Sequence, residues 1–243
     1  MCEILVAVWP RPHPFSDVLP WGLDLEQMGI GGFGWGLAWR ERERVRRYRI
    51  PLRLADDQAG QASLLEVRST HFLLHLRRPS QLSTVSLADT QPFVAEDGSF
   101  AFAHNGRLEG AGRLRERFAG SLAGKADSEV GFRLFEALLA DGLEPAAALP
   151  EVHRQLGGTA NLAYLPGRGA PLFYRGNSGN DGWHFWMGEA QLVSTALHSA
   201  DEAIFSLCFP EASGQVRLTP TQVVALDGAP SRPGVGAPAG GDD

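Results

Sequence analysis

The chain has 243 residues, 44% of them hydrophobic and 21% charged, enough to bury a full core without disulfides. Its formal net charge of −6 disfavours a general nucleic-acid binder, and its two cysteines, Cys2 and Cys208, form no disulfide framework or cysteine-based zinc site. That cysteine usage fits a reducing cytoplasm. No apolar run approaches the ~20 residues that cross a bilayer, so no membrane partner is expected.

The N-terminal stretch MCEILVAVWPRP lacks the basic and long apolar regions of a signal peptide, so the first residues are expected to enter the fold directly. Residues 3–9, EILVAVW, read as a buried strand. Residues 10–32 are rich in Pro and Gly and read as a long loop, followed by a strand over 33–39, FGWGLAW. Arg40–Arg49 alternates in sign and then turns basic; an exposed strand or hairpin fits it better than an RNA- or phosphate-binding patch, because the interleaved acids cancel much of the field. SLLEV suggests a short helix, and STHFLLHLRR, 69–78, a buried strand.

Residues 79–92 form a polar loop, and Phe93–Val94 with Ser99–Ala103 suggest a hairpin about Glu96-Asp97-Gly98. Asn105-Gly106 reads as a turn, since both residues tolerate positive φ. Leu108, Leu114 and Phe118 suggest a loosely amphipathic helix, Val130–Ala140 a stronger one, and 144–156 a third. The second half is strand-rich: TANLAYL, PLFYRG, HFWMG, QLVSTAL and QVRLTPTQVVAL. Residues 229–243 are expected to be a disordered tail, leaving one domain over 2–228. Strands at both ends with helices grouped between them favour α+β.

Cys2 has the chemistry of a nucleophile. Removal of Met1 would expose it, and a free α-amino group, with a pKa of about 7.7–8.0 against about 8.5 for the thiol, can serve as base for its own side chain. The ordinary role of such a cysteine is a small hydrophobe in a strand. Arg77 could fork onto a carboxylate or sit in a surface salt bridge. Asp127 could accept from an ammonium group or cap a helix. Asn105 and Gly106 could give a side-chain amide and a backbone N–H to a developing oxyanion. Together these suit a free amino acid or a γ-glutamyl amide. The seven histidines form no metal-ligand spacing, and no nucleotide-binding loop is present, so no metal and no cofactor are expected.

In order along the chain, Met1-Cys2, GWG at 34–36, HLR at 75–77, QPF at 91–93, HNG at 104–106 and DSE at 127–129 resemble the class II glutamine amidotransferases, which are N-terminal-nucleophile hydrolases. The resemblance is to the short stand-alone amidotransferase-like proteins. It implies a four-layer αββα fold. By that similarity Cys2 is the nucleophile and its freed amine the base, with Asn105 and Gly106 as the oxyanion hole. Arg77 would hold the substrate α-carboxylate and Asp127 its α-ammonium, with His104 and Trp35 also at the substrate. The implied partner is glutamine or a γ-glutamyl amide, and a separate synthase subunit could receive the ammonia. Phe33 before the WG pair, and Arg78-Pro79-Ser80 after Arg77, depart from the family pattern. They leave open a catalytically inactive binding or regulatory module.

Overall fold

The computed structural model describes residues 2–29, 31–177, 181–196 and 202–228. Strand β1 spans Glu3–Pro14, and its first seven residues are all buried. Side chains alternate across a strand, so Ile4, Val6 and Val8 enter one core while Leu5, Ala7 and Trp9 enter another. Both faces of β1 are therefore covered, which is why its sequence is continuously apolar rather than alternating.

Around β1 lie β2 (Trp35–Glu41), β3 (Arg44–Ile50), β4 (Arg68–Leu76), β9 (Asp181–Met187), β10 (Ala190–Ala196) and β11 (Ser213–Arg217). They form a seven-stranded sheet in the order β11-β9-β10-β1-β4-β2-β3. The second sheet, β12-β8-β7-β6-β5, contains β5 (Phe93–Val94), β6 (Phe100–Arg107), β7 (Thr159–Pro166), β8 (Leu172–Arg175) and β12 (Gln222–Ala225). Every pairing is antiparallel.

Helices α1 (Leu19–Met28), α2 (Gln58–Leu64) and α6 (Glu202–Cys208) belong to the larger sheet, where Leu25, Leu64 and Phe205 join its outer core. Helices α3 (Ala111–Arg115), α4 (Asp127–Ala140) and α5 (Pro145–Leu156) cover the smaller sheet through Val130, Phe135 and Val152. A third core of Ile4, Val6, Leu73, Ala101, Ala163 and Phe173 joins the two sheets. The order of layers is αββα, as expected.

Several local expectations need correction. Residues 10–32 are not a long loop. β1 extends through Pro14, and α1 follows with a proline in its first turn, where a missing N–H costs nothing. Gly22 lets that helix press close, since a Cβ there would lie 2.7 Å from the Leu74 side chain. The helix placed at SLLEV begins earlier, at Gln58, capped by the Asp57 carboxylate on the Gly60 N–H at 3.0 Å. QVRLTPTQVVAL splits into β11 and β12, which belong to different sheets. Helix α6 was not foreseen. The tail at 229–243 lies outside the described residues.

The Asn105-Gly106 pair is the most instructive correction. It does not reverse the chain. Strand β6 runs through both residues, in register with Asn161 and Ala160 of β7. Gly106 does take a positive φ, 141°, and a Cβ there would overlap the Thr159 carbonyl. Pairing with β7 overrides local turn propensity. The Arg40–Arg49 stretch is the β2–β3 hairpin. Its arginines tie down loops: Arg40 donates to Pro166 O, Arg47 to Pro92 O, and Arg49 to Ala88 O and Thr90 O.

Candidate active site

A cleft of about 270 Å³ opens at the start of β1 and is lined by Cys2, Arg77, His104, Gly106 and Asp127, among others. Cys2 enters it at the head of the central strand. Its Sγ lies 3.4 Å from the Arg78 backbone nitrogen, which donates to it, and 3.6 Å from the Arg78 carbonyl. Burial pushes the Cys2 thiol up, while the Arg78 N–H and the Arg77 charge act in the opposite direction. The Asn105 side-chain Nδ2 donates to the Cys2 carbonyl, so β6 grips the residue just before β1 across the two sheets.

The HNG segment is fixed by the loop before β5. Gln91 Oε1 accepts from His104 N at 2.6 Å, and its Nε2 donates to His104 O at 3.1 Å. The side chain thus pairs with the β6 backbone as a neighbouring strand would. Gly36 makes room for this segment, because a Cβ there would overlap the Gln91 carbonyl. His104 Nε2 meets the Thr159 carbonyl at 3.2 Å, which can only accept, so this nitrogen carries the proton. Nδ1 then accepts from Ser128 Oγ at 2.9 Å. Burial lowers the His104 pKa and favours that neutral form.

Arg77 is 3% exposed, and its guanidinium donates to Thr84 O at 2.5 Å and Thr84 Oγ1 at 2.8 Å. It makes no ion pair among the described residues. The rest of its planar fork is available to a carboxylate in the cleft. Asp127 is the first residue of α4 rather than its cap, which is Ala126. Its Oδ2 accepts from Leu108 N at 2.6 Å and its Oδ1 from Ser128 N at 3.0 Å.

Trp35 is not brought into this group. Its side chain is fully buried in the outer core, 6.2 Å from Phe15 in a stacked pair, and its indole N–H donates to Asp57 Oδ2 at 3.0 Å. Residues 35 and 36 alternate across β2, so Gly36 takes the side facing the Gln91 loop and Trp35 the opposite one. Phe33 holds the Arg77 strand end through its backbone, N to Arg77 O at 3.1 Å.

Thr84, Asp89, Gln91 and Ser128 also build the site but were not singled out in the sequence as site residues. Asp89 Oδ1 accepts from Lys125 N and Ala126 N, both at 2.6 Å, and shapes the entry to α4. The region 79–92 carries no hydrophobic periodicity, so apart from the Pro79-Ser80 departure only the QPF match marked any of it. No group of three or more His, Cys, Asp or Glu among the described residues is placed to hold a metal ion. No helix among the described residues is long and apolar enough to cross a membrane.

Two antiparallel sheets packed between helix layers give the N-terminal-nucleophile hydrolase fold. The glutamine phosphoribosylpyrophosphate amidotransferase from B. subtilis, solved with ADP and GMP, superposes with a TM-score of 0.70 at 16% identity. The match covers 92% of this chain and 47% of that one. An allosteric regulatory enzyme of purine biosynthesis gives 0.70 and 16%, over 92% and 46%. A glutamine aminotransferase class-II domain protein from Silicibacter pomeroyi gives 0.60 and 19%, over 91% and 94%. At these identities the likeness shows the fold, and the chain spans about half the length of the first two structures. A comparison with curated proteins gives no match. The family described as glutamine amidotransferases, class II, matches residues 26–178. The chain belongs to the class II glutamine amidotransferases. The matched residues include Arg77, Asn105, Gly106 and Asp127, and Cys2 precedes them.

Proposed function

We propose that this chain, once Met1 is removed, cleaves the γ-amide of glutamine or a γ-glutamyl compound through a Cys2 thioester. Family membership supports glutamine amide hydrolysis or transfer in general. The observation that carries the finer reading is the meeting of Cys2, Arg77, Gly106 and Asp127 on one cleft. Arg77 binds the substrate α-carboxylate bidentately, and Asp127 accepts from its α-ammonium. The γ-carbonyl then lies at Cys2 Sγ.

The freed Cys2 amine takes the thiol proton as sulfur attacks. Burial raises the thiol pKa, so the thiolate needs this base. The carbonyl oxygen gains negative charge and is held by the Gly106 N–H and the Asn105 amide, which carries a second N–H beyond the one on Cys2 O. The C–N bond breaks, the Cys2 ammonium protonates the departing nitrogen, and ammonia or an amine leaves. Water then attacks the thioester, the C–S bond breaks, glutamate leaves and the thiol regains its proton.

The test combines intact mass with labelling. Loss of Met1, a single adduct on Cys2 from a glutamine-like diazoketone, and glutamate release are the expected results. Retained Met1 with no adduct would overturn the scheme and favour a binding module on this fold. A second reading has the chain passing ammonia to a separate synthase subunit. It draws support from the first structural relatives, of which this chain spans only about half. A stoichiometric synthase recovered with the native protein would favour it.

A further inference from the structure

We propose that the amine released from the substrate carries an acidic group, a carboxylate or a phosphate. This deepens the hydrolase reading above and rests on it. The whole chain carries a formal net charge of −6, yet Arg78, Arg107 and Lys125 line the cleft, are exposed, and make no ion pair among the described residues. The acids there do not balance them. Asp89 and Asp127 already accept from backbone N–H groups, and Glu109 is the exposed carboxylate of the lining.

The three cations arise from separate segments that the site itself fixes. Arg78 follows Arg77, and its backbone N–H is the one that meets Cys2 Sγ at 3.4 Å. Arg107 follows Gly106 at the end of β6, with its N–H on Thr159 Oγ1 at 3.1 Å. Lys125 stands on the loop before α4. There Asp89 holds Lys125 N and Ala126 N, Glu129 accepts from Ala123 N and Gly124 N, and Arg115 donates to the carbonyls of 124–126.

Anchored backbones of this kind reduce the ordering that binding requires. With the glutamyl end held by Arg77 and Asp127, whatever is attached beyond the γ-carbonyl meets this cationic rim. Ammonia as the leaving group would leave the rim without a partner.

The test is the rate of glutamate release at limiting substrate from matched amides. γ-Glutamylglycine and the γ-glutamyl amide of phosphoethanolamine supply the two anions, and γ-glutamylglycinamide is the neutral control. At least one acidic amide is expected to exceed the control in kcat/KM by about tenfold, with the preference shrinking as salt rises. Whichever acidic amide is faster identifies the anion. The Arg107→Gln/Lys125→Gln double variant should narrow the acidic-to-neutral ratio severalfold, and the salt dependence of the unaltered protein tests the same point if that variant does not fold. Equal kcat/KM for acidic and neutral amides overturns this inference alone. Absence of glutamate release from every amide and from glutamine overturns the hydrolase reading, and this inference with it.

Discussion

Two polar clusters are buried on opposite faces of the seven-stranded sheet, and they differ in how fully they are satisfied. On the outer face, Asp57 accepts from Gly60 N at 3.0 Å, Trp35 Nε1 at 3.0 Å and Tyr48 OH at 2.7 Å. Beside it, Glu26 accepts from Leu54 N at 2.8 Å and Ala55 N at 2.9 Å. On the cleft side, among the described residues, the Arg77 guanidinium is bonded only to Thr84, and Asn105 Oδ1 and both ring nitrogens of His75 have no hydrogen-bond partner. Buried polar groups are almost always paired. The saturated cluster has nothing left to offer a ligand and serves the fold. The unsaturated one holds buried donors and acceptors with no partner among the described residues, which is what the proposed substrate site requires.

Variants in the two clusters should fail in different ways. Cys2→Ala should remove glutamate release altogether while leaving the thermal unfolding midpoint within a few degrees of the parent. Turnover surviving in that variant would break the assignment. Asn105→Ala should come next. Losing one oxyanion donor costs about 10²–10³ in rate, so kcat should fall by that order with KM largely kept. A variant within threefold of the parent would take Asn105 out of the chemistry and leave it only the grip on the Cys2 carbonyl.

The same division explains what could be read from the chain. The buried strands β1, β2 and β4 were legible as apolar runs, and helices α4 and α5 because their apolar periodicity matches their burial. Cys2, Arg77, Gly106 and Asp127 were legible as an ordered set of motifs, and the structure gathers them on one cleft. Trp35 was misplaced because motif order carries no information about which face of a strand a side chain takes. The Asn-Gly pair was misread as a turn because local preference cannot reveal the β7 partner. Gln91 and Asp89 act through hydrogen bonds to backbone distant in sequence, which leaves no periodic trace. Helix α1 was hidden by prolines that instead end β1 and start the helix.

Asp57→Ala should show the opposite pattern from Cys2→Ala. It strands the Trp35 indole N–H and the Gly60 N–H in the core and removes the cap of α2. Each buried group left unpaired costs about 1–3 kcal/mol, so a stability loss on the order of 3 kcal/mol is expected by denaturant titration. Activity per folded molecule should be kept. A large drop in kcat with unchanged stability would move this cluster into the site.

His75 gives the smallest effect and the finest test, because it is a fully buried histidine on the cleft side. Burial, with the Arg77 charge beside it, pushes its pKa down to about 3, while the His104 backbone nearby acts the other way without reaching hydrogen-bond geometry. The unfolded chain protonates this ring near 6.5. Between those two values the unfolded state binds the extra proton, so stability is full above pH 6.5 and is lost as pH falls toward 3. One such ring contributes at most about 1.4 kcal/mol per pH unit. His71 is also held down to about 3, and burial lowers His104 and His184 as well, so the parent should lose stability from all four. Replacing His75 by Gln should therefore flatten the fall in the denaturation midpoint between pH 6.5 and 5 without abolishing it. An unchanged slope would mean that His75 is protonated in the folded protein. In that case the cleft would hold a second cation beside Arg77, and its contrast with the saturated Asp57 cluster would have to be drawn on charge rather than on unpaired groups.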